Sequence, residues 1–483
     1  MIVGILFFQA LWIALSGRYP MAFDEDFHLG LIKIYSSHLS PFWESHPAGA
    51  DAYGAISRDP SYLYHLALGA VYRLIRAVSS DIYYQVLTLR LINISLFAGG
   101  LFVFKLLLGK TKMSPRLINY ILLVFVLIPV VPLLAAQINY DNLIFPLVGL
   151  VLLNTLAISE DLKRRQPNLI NLSSFSALIM ATSIVKYAFL PIALACLGFL
   201  FIYNRKQLKS FFTKQRLKKA YGLAPKMLLG TLLLFNLIFA GLVLDRYGLN
   251  LVNYHKPVAD CAEVLNFEKC QAYGPWIRDY NFEKTKPKDA NTSVFVYIPE
   301  WVYGMWFRSF FSVDGPGTLN QTRGPLILPA IVSVVLLVAS PAVIILAYKR
   351  IANRYSRQAI YLFSAVIVIY ISSLWLEEFR LFRKTAQPVA INGRYLVLIM
   401  PLLFSLIAMS FSELIAKPKV KYILATVVLF MLIWGGGALT YVLRSNPAWY
   451  WPNNAAVKHI NWTAQRTIGP IVPGYYISNF LQN

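Results

Sequence analysis

Long segments without any charged residue recur along this chain of 483 residues. Residues 118–136 and 422–442 are two of them, and as a helix each is long enough to cross a hydrocarbon core roughly 30 Å thick. Hydrophobic residues make up 57% of the chain and charged residues only 14%. A soluble protein of this size needs a more charged surface. The sequence therefore predicts an integral membrane protein.

The backbone of a membrane-spanning segment must satisfy its hydrogen bonds internally, so the apolar segments are predicted to be helices. The expected fold is all-α with about eleven transmembrane helices. The first segment has the length of a signal peptide, but it lacks a basic start and a small-residue cleavage site, so we expect it to be retained. The predicted spans are residues 2–17, 84–108, 118–136, 142–158, 170–185, 187–203, 226–245, 323–348, 359–376, 394–412 and 422–442.

Lysine and arginine cluster in every second break between these spans. Cytoplasmic loops carry such an excess of basic residues. The rule places residues 18–83 and 246–322 and the carboxy-terminal tail outside, and it accounts for the net charge of +23. A nucleic-acid partner is therefore not expected. The basic breaks are residues 110–116, 163–165, 205–219, 349–357 and 417–421.

The first external segment is predicted to hold two helices that lie in the membrane interface. Phe27, Leu31 and Ile34 recur at helical spacing, which is typical of an amphipathic interfacial helix. Asp59 followed by Pro60 predicts the start of the second helix, because aspartate is a good N-cap and proline suits the first helical position.

Acidic residues are scarce, and three of them stand at predicted outer ends of spans. Asp24 and Glu25 follow the first span, and Asp141 lies in the short turn between spans three and four. A carboxylate at the outer surface can accept a proton from an alcohol, bind a sugar hydroxyl, or hold a divalent cation such as Mg²⁺ or Mn²⁺ through Asp24 and Asp141. The alternative is that Asp24 and Asp141 are helix caps.

Three cations are predicted at membrane depth or at the outer interface. Arg90 lies inside the second span, Lys186 lies between the fifth and sixth, and Arg394 begins the tenth. Such charges are costly and mark pathways or anionic ligands, for example a lipid phosphate. The alternatives are snorkelling side chains and internal ion pairs.

Two cysteines, Cys261 and Cys270, share the second external segment. Disulfides persist on the oxidising side of a membrane, so we expect these two to be bridged, with two free thiols as the alternative. Four histidines fall in the first external segment, but their spacing fits no zinc signature, and they are interpreted as polar interfacial residues. They are His28, His38, His46 and His65.

Several short motifs resemble the GT-C superfamily of membrane glycosyltransferases, which use sugars linked to polyprenyl phosphate. The likeness extends to protein O-mannosyltransferases and to the lipid A aminoarabinose transferase, and it is spread over the chain up to about residue 412. The motifs occupy residues 23–28, 59–64, 89–92, 139–142, 185–187 and 392–401.

This resemblance implies a catalytic region over residues 1–412, with the last transmembrane helix and an external tail in residues 413–483. Asp24 matches the family's catalytic carboxylate, Glu25 its neighbour and Asp141 the acidic residue of the second external loop. Three cations match the basic residues near the carrier phosphate: Arg90, Lys186 and Arg394.

The implied reaction is inverting transfer of a sugar from a polyprenyl-phosphate donor to a hydroxyl of a glycan, lipid or protein. It would take place at the outer face of a bacterial or archaeal plasma membrane. Two alternatives stay open. A polysaccharide polymerase or ligase would use external arginines, here Arg278, Arg308 and Arg323. A transporter or flippase of an anionic lipid-linked solute would also use buried cations, but the chain has no repeated half.

Overall fold

The computed structural model describes residues 1–22, 24–310, 327–444, 449–452 and 454–472. Over these residues the chain is helical, and the extended pairing is limited to one isolated antiparallel bridge between Gly17 and Tyr450. The helices of the first half are α1 (Ile2–Ser16), α2 (Glu25–His38), α3 (Leu63–Val78), α4 (Ile82–Gly109), α5 (Pro115–Leu127), α6 (Val130–Ala135), α7 (Asp141–Arg164), α8 (Leu169–Val185), α9 (Leu190–Tyr203), α10 (Arg205–Phe211), α11 (Lys214–Leu223) and α12 (Lys226–Val243).

Short helices follow in the second external segment, and long ones return after it. These are α13 (Leu249–Tyr254), α14 (Cys261–Val264), α15 (Phe267–Gln271), α16 (Gly274–Lys284), α17 (Val294–Val302), α18 (Arg308–Phe310), α19 (Ile327–Arg354), α20 (Arg357–Thr385), α21 (Met400–Leu414), α22 (Pro418–Gly435), α23 (Gly437–Arg444) and α24 (Ala455–Thr467). Short 3₁₀ helices cover Asp51–Tyr53, Tyr187–Phe189, Gly393–Leu398 and Gly469–Ile471, and π-helical turns cover Leu244–Gly248 and Tyr303–Phe307.

Six helices are long and apolar enough to cross a membrane, which indicates a membrane protein. They begin at Ile82, Asp141, Lys226, Ile327, Arg357 and Pro418. Five shorter apolar helices, of 10–17 residues, occupy the other predicted spans. At a rise of about 1.5 Å per residue these short helices fall below the thickness of the hydrocarbon core. The number of crossings therefore stays a prediction.

The buried core lies where α1, α4, α5 and α7 meet. Phe145 on α7 stacks on Phe97 and Phe104 of α4, with ring centres 4.5 Å apart in both pairs. A Cβ atom at Gly100 would lie 2.4 Å from the Phe145 ring, so glycine is needed there for α4 and α7 to approach. Small residues commonly allow such close packing between membrane helices.

The surface of the helical bundle is apolar. Leu229 is the one buried residue of α12, although nearly every residue of that helix is apolar. Leu233, Leu234 and Leu237 are exposed. A surface of this kind fits lipid tails rather than water.

The basic breaks lie together at one end of the bundle, called here the basic end. The Ser356 N–H donates to the Thr111 carbonyl (3.0 Å), and Gln358 donates to the Ser159 hydroxyl (2.9 Å). The Ser159 hydroxyl in turn donates to Asn204 (3.1 Å). Because α7 and α9 each run toward this end, their first residues lie at the opposite end of the bundle.

The segment in which two interfacial helices are expected contains α2 and α3, which pack against each other. Their predicted details need correction in two respects. Asp59 does not cap α3, which begins at Leu63; its carboxylate instead accepts the N–H of Ser61 (2.8 Å), forming a turn before the helix. His28 is not a polar surface residue of α2, because it is buried against α3.

Candidate functional site

Four of the predicted site residues converge at the end of the bundle opposite the basic end. Asp24 Oδ2 lies 2.7 Å from Arg394 Nη2, and Asp141 Oδ1 lies 2.6 Å from Lys186 Nζ. Tyr395 joins the two ion pairs, since its hydroxyl lies 3.3 Å from Arg394 Nη2 and its ring centre 4.9 Å from Lys186 Nζ. We call Asp24, Asp141, Lys186 and Arg394 the charged cluster.

Each member of this cluster lies at the start of a helix or between two helices. Asp24 directly precedes α2 and Asp141 is the first residue of α7. Lys186 is extended between α8 and the 3₁₀ helix Tyr187–Phe189, and Arg394 lies in the 3₁₀ helix before α21. The four segments are far apart in sequence, so only the fold brings them together.

Asp24 is the solvent-exposed member of the cluster. Its side chain is 52% exposed, against 6% for its partner Arg394. Asp24 adopts the left-handed conformation (φ 62°), and its side chain makes no capping hydrogen bond to α2. The geometry therefore disfavours the alternative that Asp24 is a helix cap. Aspartate tolerates this backbone region better than most residues do.

Asp141 and Lys186 form the buried half of the cluster. Lys186 Nζ also lies 4.5 Å from the centre of the Tyr140 ring, a cation–π contact. The N–H of Asp141 donates to the side chain of Asn139 (2.8 Å). The side chain that binds the backbone at the start of α7 is therefore that of Asn139, and not that of Asp141 as the cap alternative expected. Among the described residues, no group donates a hydrogen bond to Asp141 Oδ2.

Glu25 and Arg90 lie in a separate buried network. The Arg90 guanidinium binds the Glu25 carboxylate through two bonds of 2.8 Å, and both side chains are fully buried. Glu25 also accepts the N–H groups of Met21 and Ile138, and Arg90 donates to the carbonyls of Ala14 and Gly17.

These contacts correct the roles that the resemblance implies for this pair. A carboxylate with four donors and no exposure is not positioned to support a reaction at Asp24. A guanidinium held by one carboxylate and two carbonyls is not positioned to bind a lipid phosphate. The internal ion pair, left open as an alternative for Arg90, is the arrangement that the structure favours for both residues.

The structure adds a buried histidine pair that sequence reasoning missed. His28 Nδ1 lies 2.9 Å from His65 Nε2, and the Tyr140 ring packs edge-on against His28 at 4.5 Å. Burial lowers the pKa of His65 to about 3. Burial, the neighbouring imidazole and the charges of Arg394 and Lys186 lower the pKa of His28 well below its ordinary value. Both rings are therefore neutral at pH 7.

An aromatic group borders the amino-terminal turn of α2. The ring of Phe27 lies 5.6 Å from that of Tyr53 and 6.2 Å from that of Tyr273. These three rings form an aromatic group in the first and second external segments, beside the helix that Asp24 precedes.

The loop that carries Tyr273 is closed by the expected disulfide. Cys261 and Cys270 are bonded, with Cα atoms 5.9 Å apart. The N–H of Tyr273 donates to the Cys270 carbonyl (3.0 Å), which holds the backbone at Tyr273 next to the bridge. The remaining cysteine, Cys196, is buried.

Two further expectations concern external arginines and a metal. Arg278 forms an ion pair with Asp279 (2.7 Å), Arg308 begins α18, and Arg323 lies outside the described residues. In the described part of the chain, no group of three or more His, Cys, Asp or Glu side chains is arranged to hold a metal ion. Asp24 and Asp141 each contact a cationic side chain, and we derive no step through a metal.

Comparisons of the chain with protein-family models, with curated proteins and with solved structures find no match. The likeness to GT-C enzymes therefore rests on the short motifs alone.

Proposed function

We propose that this protein is an inverting glycosyltransferase that moves a sugar from a polyprenyl-phosphate donor to an acceptor hydroxyl. The observation that carries the proposal is the charged cluster. Two carboxylates and two cations from four distant segments meet at one end of an apolar bundle, opposite the basic end. Buried cations in an apolar bundle are costly and often mark a site for an anionic ligand, which supports the proposal.

Asp24 is proposed to act as the general base. As the acceptor oxygen attacks the anomeric carbon, a new C–O bond forms and the hydroxyl proton passes to the Asp24 carboxylate. The bond between the anomeric carbon and the phosphate oxygen breaks, and lipid phosphate leaves with its electron pair. Asp24 suits this role because its side chain is half exposed and not engaged in capping.

Arg394 and Lys186 are proposed to stabilise the charge that develops on the leaving phosphate. Cations already fixed in place stabilise such charge without having to reorganise during the reaction. Arg394 is held by Asp24 and the Tyr395 hydroxyl, and Lys186 by Asp141 and two aromatic rings. The cluster has two positive and two negative side chains, so its formal net charge is zero. A bound phosphodiester would change that net charge by one negative unit.

Mass spectrometry of the lipid that stays bound to the purified protein tests donor class directly. We expect a polyprenyl phosphate or its glycosylated form to be retained by the wild-type protein. Arg394→Met keeps much of the apolar stem and removes the guanidinium, so retention should fall while the protein stays monodisperse in detergent.

The outcomes separate the proposal from the polymerase or ligase alternative and test the role of Arg394. Retention of a diphosphate-linked oligosaccharide would favour the polymerase or ligase alternative. Equal retention of the lipid by wild type and Arg394→Met would contradict the proposed role of Arg394 in binding the phosphate. Aggregation of Arg394→Met would show that its ion pair with Asp24 is structural.

A further inference from the structure

The segment between α9 and α12 has an unusual charge composition. Residues 205–226 contain eight lysine or arginine residues and no aspartate or glutamate. No other stretch between two apolar helices of this chain carries so many cations without an acid. The basic residues at the end of α7, for comparison, follow Glu160 and Asp161 in the same helix.

The structure folds this segment into two short helices, α10 and α11, at the basic end of the bundle. Asn204, which precedes α10, accepts a hydrogen bond from Ser159 near the end of α7 and so fixes where the segment begins. Six cations of the segment are exposed: Arg205, Lys206, Lys214, Lys218, Lys219 and Lys226.

Exposed apolar side chains lie among these cations. Phe212, Tyr221 and Leu223 are each more than half exposed, while Phe211 and Ala220 pack inward. Cations interspersed with exposed aromatic and aliphatic side chains are typical of segments that lie on a membrane surface. The segment is tethered at both ends to apolar helices, α9 and α12, so it is held close to any bilayer that contains them.

Three cations elsewhere at the basic end bind groups within the protein. Arg354 pairs with Glu413 (3.0 Å), Arg357 donates to Asn353 (2.7 Å), and Lys421 donates to the Ser412 carbonyl. Residues 205–226 contain no acidic side chain that could pair with their cations as Glu413 pairs with Arg354, although Lys226 donates to the Tyr221 carbonyl.

We infer that residues 205–226 form a binding surface for anionic phospholipid headgroups of the membrane leaflet at the basic end. Charge complementarity selects this occupant, because clusters of four to eight basic residues next to a membrane helix attract anionic lipids. Each cation near such a surface strengthens the attraction about fivefold. The inference does not depend on the proposed transferase activity.

The lipids that stay bound to the purified protein test whether residues 205–226 bind anionic headgroups. The protein is equilibrated with vesicles of phosphatidylglycerol and phosphatidylcholine, extracted in mild detergent, and the bound lipids are quantified. We expect phosphatidylglycerol to be enriched over its share in the vesicles. Changing Lys206, Lys214, Lys218 and Lys219 to Gln should reduce the enrichment at least about fivefold.

A matched control removes the same charge elsewhere. Lys33, Lys269, Lys284 and Lys288 are exposed and lie in the predicted external segments, and their change to Gln should leave the enrichment intact. An equal loss in both variants would mean that net charge alone attracts the lipid, and no loss in either would also overturn the inference.

A salt titration of the wild-type protein gives a readout that needs no variant. Enrichment that falls as sodium chloride is raised supports a surface of exposed charges, because salt screens such attraction. Enrichment that is unchanged by salt, or an acidic protein or nucleic acid found in place of the lipid, contradicts the assignment.

Discussion

Asp24 and Glu25 are neighbours with opposite surroundings. Asp24 is half exposed and pairs with Arg394, whereas Glu25 is fully buried and pairs with Arg90. A run of acidic residues at the start of a helix does not reveal which member turns inward, because that depends on where the helix begins and what packs against it. Sequence reasoning assigned Asp24 as the base and Glu25 as a supporting group, but it did not predict the buried ion pair of Glu25 with Arg90.

The buried pair of Glu25 and Arg90 should contribute to stability rather than to activity. Arg90→Met leaves Glu25 without its partner, and breaking a buried ion pair typically costs about 3–5 kcal/mol. We expect a clear fall in melting temperature in detergent. The double variant Arg90→Met, Glu25→Gln removes both charges and should recover part of that loss. A melting temperature unchanged by Arg90→Met would mean that the pair contributes little.

At the scale of helices, the apolar segments were the most predictable feature. Six of the predicted spans are helices long and apolar enough to cross a membrane, because length and composition are sequence properties. Two other details were not predicted: residues 118–136 are divided between α5 and α6, and residues 422–442 between α22 and α23. The start of α3 was not predictable in the same way. Asp59 and Pro60 carry a good capping signal, but the Asp59 side chain bonds to the nearby Ser61 N–H and the helix begins at Leu63.

The contact between α2 and α3 predicts sensitivity to acid. The pKa of His65 is lowered by burial to about 3 and that of His28 is also lowered, so the unfolded chain binds protons that the folded chain excludes. Stability from this pair is therefore complete above the ordinary histidine pKa of about 6.5 and is lost as pH falls below it. The slope is about 1.4 kcal/mol per pH unit for each histidine.

Melting temperatures between pH 7.5 and pH 4.5 test this sensitivity, both values chosen to bracket the pKa of about 6.5 for a free histidine. The double variant His28→Asn, His65→Asn should show a shallower fall with acid than the wild-type protein. His459→Asn changes an exposed histidine and should keep the wild-type slope. An identical slope in all three proteins would assign the acid sensitivity to other groups.

At the scale of the whole molecule, charge separates the two ends of the bundle. The basic breaks meet at one end through contacts such as Ser356 to Thr111, and the charged cluster lies at the other. Alternation of basic loops along the sequence was enough to predict this division. The convergence of residues 24, 141, 186 and 394 was not predictable, because it depends on how the helices pack.

The side of the membrane on which each end lies can be measured by cysteine labelling. In a background with Cys196 changed to Ser, a cysteine at Lys288 should react with an impermeant reagent added to intact cells. A cysteine at Lys214 should react only after the cells are opened. Both positions are exposed, so access to the reagent depends on the membrane alone. Labelling of Lys214→Cys in intact cells would reverse the predicted orientation.

The central claim is that Asp24 acts as a general base in transfer from a polyprenyl-phosphate sugar, and turnover of Asp24→Asn tests it most directly. Asparagine keeps the shape of the side chain and tolerates the left-handed backbone, so the melting temperature should barely change. Asp26→Asn removes a carboxylate two residues away that is also exposed, and serves as the matched control. We expect Asp26→Asn to retain wild-type turnover and Asp24→Asn to lose about 10²–10⁴-fold. Near-wild-type turnover by Asp24→Asn would contradict the account.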